Sequence, residues 1–176
     1  MSDKEAEFRE FVAAQMEQLR GLAFLTCGDW QVAEDAVLAA LARLYVRWNR
    51  VDKPDVYART AVVRAAIDET RRPWWRREQS HSHAAMPDRA APDPMPGVED
   101  RLHLREALLH VPPKQRAVLV LRFLEGLSVQ QTAAALRCPE GTVKVYTSRG
   151  LDILRRVLGV NLGIDEQAGG RHEAAV

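Results

Sequence analysis

Between Met86 and Gly97 the chain carries four prolines, Pro87, Pro92, Pro94 and Pro96. Each lacks an amide donor and pushes its predecessor out of helical geometry. Neither a helical nor a strand period survives across Ser80–Pro96 (SHSHAAMPDRAAPDPMP). Residues 77–100 therefore read as a flexible linker. Such a linker splits the chain of 176 residues into two units. One spans residues 1–76 and one spans residues 101–160, with residues 161–176 as a disordered tail. No internal repeat is evident.

Both units read as helical. Phe8, Phe11, Val12, Met16, Leu19, Leu22 and Ala23 follow three-four spacing, the apolar face of a first helix. Thr26-Cys27-Gly28-Asp29 breaks it, and Asp29 can cap a second helix reaching Trp48. Ala33, Val37, Ala40, Leu41, Leu44 and Trp48 form its inward stripe; Leu38, Ala42 and Tyr45 form a neighbouring one. That second stripe suits either a wide buried face or a partner helix. Asp52-Lys53-Pro54-Asp55 restarts a helix, with Asp52 as cap and Pro54 at the first helical position. Val56, Thr60, Val63 and Ile67 are its apolar stripe. In the C-terminal unit, helices are expected over Leu102–His110, Lys114–Leu124 and Val129–Arg137, and from Thr142 to about Leu158. Ser128 and Gln131 supply a capping box. The expected fold class is all-α: an N-terminal helical bundle and a C-terminal helix-turn-helix domain.

Charge divides along the same lines. The net charge is only +1, yet residues 49–78 sum to +3 and residues 101–158 to +6, separated by an acidic 79–100. Two basic surfaces on a neutral protein suit a polyanion as well as ordinary solvated faces. No apolar run approaches the roughly 18 residues of a membrane span. The start is acidic, unlike a signal peptide. Cys27 and Cys138 make no disulfide framework or C-x-x-C pair. A cytoplasmic location without membrane attachment is expected. No phosphate-binding glycine motif or H-E-x-x-H occurs, and the carboxylates are scattered over helices. Neither an enzymatic activity nor a cofactor is expected. His81 and His83 lack the ligand spacing of a closed zinc site, so no metal is expected either.

The last two helices carry the clearest chemistry. A short helix, a turn of about four residues and a longer helix with an apolar rail make a helix-turn-helix. Val143, Tyr146 or Thr147, Gly150, Leu151, Leu154 and Leu158 are the rail; Lys144, Ser148, Arg149, Arg155 and Arg156 lie off it. Short polar and basic groups near the start of such a helix reach base edges and phosphates in the major groove. Free amides at Gly141 and Thr142 would add a phosphate site.

Leu108–Phe123 (LLHVPPKQRAVLVLRF), then Glu125-Gly126-Leu127-Ser128, Gly141-Thr142-Val143-Lys144 and Thr147-Ser148-Arg149, resemble the fourth conserved region of bacterial RNA polymerase sigma factors. Ala33-Glu34-Asp35-Ala36-Val37, with Ala66-Ile67-Asp68 and Arg71-Arg72, resembles the second region. Two regions joined by a linker are similar to the extracytoplasmic-function (ECF) group. The resemblance implies partners: the β and β′ subunits of core RNA polymerase, promoter DNA and, left open, an anti-sigma factor. It implies docking of the second helix on the polymerase through Asp35, Leu38, Ala39 and Ala42. It implies that the loop Trp48–Asp55 and the next helix read and open the minus-ten element, with Asn49, Arg50, Lys53, Arg59, Arg64, Arg71 and Arg72 as candidates. Strand capture costs a few kcal/mol per extruded base and needs stacking and phosphate contacts. The last helix would read the minus-thirty-five element through Thr142, Lys144, Val145, Ser148 and Arg149.

Three positions depart from the family pattern. Leu38-Ala39 replaces Gln and an acidic residue, Arg64 stands where Asn is commoner, and Val145-Tyr146 replaces Ser-Arg. An altered promoter sequence is one consequence; a sigma-derived DNA-binding regulator with weakened core docking is the alternative reading. Arg137 occupies a turn position often held by Gly and is expected to be left-handed. Trp74-Trp75-Arg76-Arg77 suits either a stacking surface for single strands or a hydrophobic clasp.

Overall fold

The computed structural model describes residues 3–70 and 98–159, and seven α-helices lie among them. In the N-terminal unit they are α1 (Asp3–Cys27), α2 (Trp30–Arg47) and α3 (Pro54–Thr70). In the C-terminal unit they are α4 (Val98–Leu109), α5 (Pro113–Leu119), α6 (Val129–Leu136) and α7 (Glu140–Leu158). A 3₁₀ turn, Trp48–Arg50, follows α2, and a π-helical turn, Val120–Leu124, follows α5. The all-α reading holds among the described residues. Helix α4 opens at Val98, inside the segment read as linker. Arg71, Arg72, the Trp74–Arg77 cluster, His81, His83 and the tail lie outside the described residues.

Local chemistry sets the helix ends. Gly28 ends α1 with φ +80, a conformation that costs glycine little, and its amide donates to the Phe24 carbonyl at 2.7 Å. Asp29 caps α2 by accepting from the Val32 amide at 3.0 Å. Helix α3 begins one residue later than an Asp52 cap would put it: Tyr57 N–H donates to the Lys53 carbonyl, with Pro54 at the first helical position. The Ser128–Gln131 capping box forms in full, at 3.0 and 2.8 Å.

The expected inward stripe of α2 is the core of the first unit. Ala33, Val37, Ala40, Leu41 and Leu44 are buried against Leu19, Ala23 and Phe24 of α1 and Ala58, Ala61 and Val62 of α3. The α3 stripe turned out differently. Val56 is exposed, and Val63 and Ile67 are buried not in their own bundle but against the C-terminal unit. There they join Leu22 of α1 and meet Ala117, Val120, Leu121 and Ala135. Helix α3 is apolar on two sides: Ala58, Ala61 and Val62 face the bundle, and Val63 and Ile67 face the other unit. The two units therefore pack on each other. Arg105 of α4 lies over the Phe24 ring at 4.4 Å and Leu25 of α1 packs into the Leu108–Leu154 cluster.

Candidate nucleic-acid interface

Helix α7 is positioned from its buried side. Val143, Gly150 and Leu154 are buried, with Tyr146, Thr147, Leu151 and Leu158 partly so, as the rail predicted. The fit at Gly150 is close: a Cβ there would lie 2.9 Å from Leu119 Cδ1. This packing turns Lys144, Val145, Ser148 and Arg149 outward, and all four are exposed. Arg156 is exposed beside them, whereas Arg155 pairs with Asp152 at 3.0 Å. Arg137 is left-handed at φ 53, as expected, and fixes the turn between α6 and α7.

One expectation at this site changes for Thr142. Helix α7 starts at Glu140, two residues before Thr142. The Thr142 amide donates to the Pro139 carbonyl at 3.0 Å and is not free for an anion. Glu140 places a negative charge in the same turn, which opposes anion binding there. Thr142 is half-buried and lies beside Tyr146, Lys114 and Arg137 in a cleft that reaches Arg64 and Asp68 of α3.

The N-terminal candidates divide into two groups. Asn49, Arg50 and Lys53 are exposed on the connection between α2 and α3. Trp48 anchors the start of that connection: its ring lies edge-on to Phe8 at 5.1 Å and Phe11 at 5.2 Å. Arg59 and Arg64 are half-buried and already engaged. Arg59 pairs with Asp55 at 2.9 Å and with Glu125 of the C-terminal unit at 3.0 Å. Arg64 Nε donates to the Ala135 carbonyl at 2.7 Å, and its Nη2 donates to the same oxygen. Burial, and then the charge of Arg137, lower the pKa of Arg64.

The structure adds residues that sequence reading missed. Arg43, Arg47 and Tyr57 join Arg64 and Arg137 along one groove between α2 and α3. Arg43 and Arg47 are four apart on the exposed side of α2, a spacing that could have flagged them. Nothing in the sequence marks Arg137 as their neighbour, because it comes from the other unit.

Helix α2 also carries the docking candidates, next to that groove, which Val46 helps to line. Asp35, Leu38, Ala42 and Val46 are exposed, Leu38 at 63% and Val46 at 78%, while Ala39 is half-buried. Tyr45 does not belong to that free face: its ring packs on Phe8 at 4.9 Å, with Lys4 over it at 4.4 Å. Among the described residues, no three His, Cys, Asp or Glu side chains converge on a metal site. No described helix is long and apolar enough to cross a membrane.

A family model described as Sigma-70, region 4 matches residues 101–154. The chain is similar to the RNA polymerase sigma-E factor of Streptomyces coelicolor, 35% identical over 169 residues. That match covers 95% of this chain and 94% of that protein. It is similar to the ECF RNA polymerase sigma factor SigM of Mycobacterium tuberculosis, 29% identical over 165 residues, covering 90% and 81%. Among solved structures, the sigma factor RpoE of Bartonella quintana, in complex with the anti-sigma factor NepR, matches with a TM-score of 0.64. That likeness, at 21% identity over 88% of this chain and 98% of that one, concerns the fold. With a relative this similar over nearly its whole length, and a region-4 match on the helices that form the helix-turn-helix, the chain belongs to the ECF RNA polymerase sigma factors.

Proposed function

We infer that this protein binds core RNA polymerase, directs it to a specific set of promoters and assists strand opening there, without catalytic chemistry of its own. The observation that carries the reading is the outward face of α7. Lys144, Val145, Ser148 and Arg149 sit together on a helix whose opposite side is locked into α5. A rigid helix with two cations, a hydroxyl and a branched apolar group along the exposed side of its first half suits major-groove reading. Lys144 and Arg149 supply phosphate or guanine contacts, and Val145 suits a thymine methyl. Asn49, Arg50 and Lys53, with the Arg43–Arg47–Tyr57–Arg64 groove, supply cations and a ring for displaced bases in the minus-ten region. Arg71 and Arg72 extend that cationic set along the sequence. Asp35, Leu38, Ala39 and Ala42 form the polymerase-docking face, where the exposed Leu38 suits an apolar partner helix. The working location is the cytoplasm, with the polymerase. An anti-sigma protein that holds the two units is a fitting regulatory partner.

Run-off transcription with purified core enzyme across a genomic promoter library tests docking and opening together. The expected result is initiation from a small promoter subset only when the protein is added. No initiation anywhere in the library would overturn the reading. DNA binding without co-purification of β and β′ would leave a promoter-binding regulator instead.

A further inference from the structure

The two packed units leave a cleft of about 350 Å³ beside their contact. Arg64 and Asp68 of α3 line one side of it, and Lys114 of α5 and Arg137 at the end of α6 line the other. Thr142 and Tyr146 of α7 complete the lining. We propose that this cleft is a binding site for a small phosphorylated ligand, a nucleoside diphosphate held by the three cations with its base against Tyr146. The site stands on the packing of this chain and not on the promoter reading given above.

Three observations carry the assignment. First, the cleft holds positive charge that the chain does not neutralise. Arg64, Lys114 and Arg137 face a single carboxylate there, Asp68. Among the described residues, neither Lys114 nor Arg137 has a hydrogen-bond or ion-pair partner for its side chain. Arg64 gives Nε and Nη2 to the Ala135 carbonyl, which fixes its guanidinium plane and leaves Nη1 over. Burial first, and then the Arg137 charge, lower the pKa of Arg64, so the two guanidiniums repel across the cleft. A bound diphosphate offsets that repulsion and accepts the spare donors. Second, Arg137 is the only non-glycine residue at positive φ among the described residues, at φ 53. A side chain on that backbone is strained, and strain of this kind collects at ligand sites. Glycine would end α6 without the strain and would leave the cleft one cation short. Third, size and lining select the ligand. Ile67, Leu136 and the Tyr146 ring give the cleft an apolar side where a planar base fits. Its volume lies near the lower end of small-molecule sites, roughly 300–1,000 Å³, and suits one nucleotide rather than a run of them.

The test titrates the full chain with ADP, GDP, CDP and UDP by calorimetry at fixed ionic strength. At least one of the four is expected to bind one-to-one, with its nucleoside and inorganic phosphate each weaker by about tenfold or more. The same diphosphate should raise the thermal midpoint in a concentration-dependent way. Arg137→Gly should weaken that binding by about tenfold while its own thermal midpoint stays or rises, because glycine relaxes the turn. Loss of binding in this variant is therefore not loss of fold. Lys114→Gln should weaken the diphosphate by about tenfold and keep its affinity for a labelled, random-sequence single strand within about twofold. Binding of none of the four, or binding that survives both substitutions, overturns the proposal. So does inorganic phosphate held as tightly as the diphosphate, which leaves an anion site without a base pocket. A Lys114→Gln chain that loses strand and diphosphate equally makes the cleft a stretch of the DNA path and overturns it too.

Discussion

At the scale of single residues, position within the packing decides chemistry more than residue type does. Arg149 shares an exposed face with Lys144 and differs from Arg64 and Arg116 only in what lies over it. Replacing Lys144 or Arg149 with Ala should flatten the salt dependence of promoter binding by about one unit of log–log slope for each lost phosphate contact. If either reads a base edge, discrimination should fall by about 1–3 kcal/mol at one promoter position, measured by competition with substituted duplexes. Cys27 gives a pH signature. Burial raises its thiol pKa from 9.0 to about 11, with smaller opposing effects from the Asp29 backbone and from Arg116. The folded chain holds this proton where the unfolded chain has lost it, so stability falls as pH rises from about 9 to 11. A shift of that size is worth about 2–3 kcal/mol. Chemical denaturation across that window should show a shallower decline for Cys27→Ala than for the parent chain.

At the scale of elements, α5 and α7 are one device. Gly150 lets α7 approach Leu119 so closely that the exposed face of α7 has a fixed direction. Gly150→Ala gains about 1 kcal/mol of helix propensity and meets an overpacking cost of about 1–3 kcal/mol against a buried leucine. The net effect should be a loss of about 1 kcal/mol, read as a lower thermal midpoint together with weaker duplex binding. Ser128→Ala removes half of a formed capping box at α6 and should cost about 1 kcal/mol in urea unfolding. Much at this scale was legible in the sequence. The Asp29 cap, Pro54, the Ser128–Gln131 box and the left-handed Arg137 act through neighbours within four residues. The α7 start was misplaced because Pro139 and Thr142 are both plausible openings. Which carbonyl the Thr142 amide reaches depends on the turn as built.

At the scale of the whole molecule, one apolar joint ties the halves together. Separation returns Leu22, Val63 and Ile67 to water on one side and Val120 and Leu121 on the other. Each such side chain is worth up to about 1.5–3 kcal/mol when fully buried. The cost of separating the halves is the sum over these side chains, several times the value for one. The α2 face lies outside this joint, so its loss should be separable from it. Leu38→Glu should reduce co-purification of β and β′ while leaving duplex affinity and its salt slope unchanged. Equal loss of both would place Leu38 in a structural role instead.

The sequence alone determined the helices, the Asp29 cap, the Ser128–Gln131 box, the rail of α7 and the family, because each rests on spacing of a few residues or on a continuous motif. It also showed that α3 has a branched apolar stripe at Val56, Thr60, Val63 and Ile67. What covers that stripe was decided only in three dimensions. Periodicity identifies an apolar face without identifying its partner. Here Val56 stays exposed, and the C-terminal partners of Val63 and Ile67 begin only at Ala117, in the other unit. The same holds for Arg59 and Arg64, whose charge was evident from sequence but whose occupation by Glu125 and Ala135 was not. Long-range contacts are set by complementarity between assembled surfaces, and no local pattern encodes them.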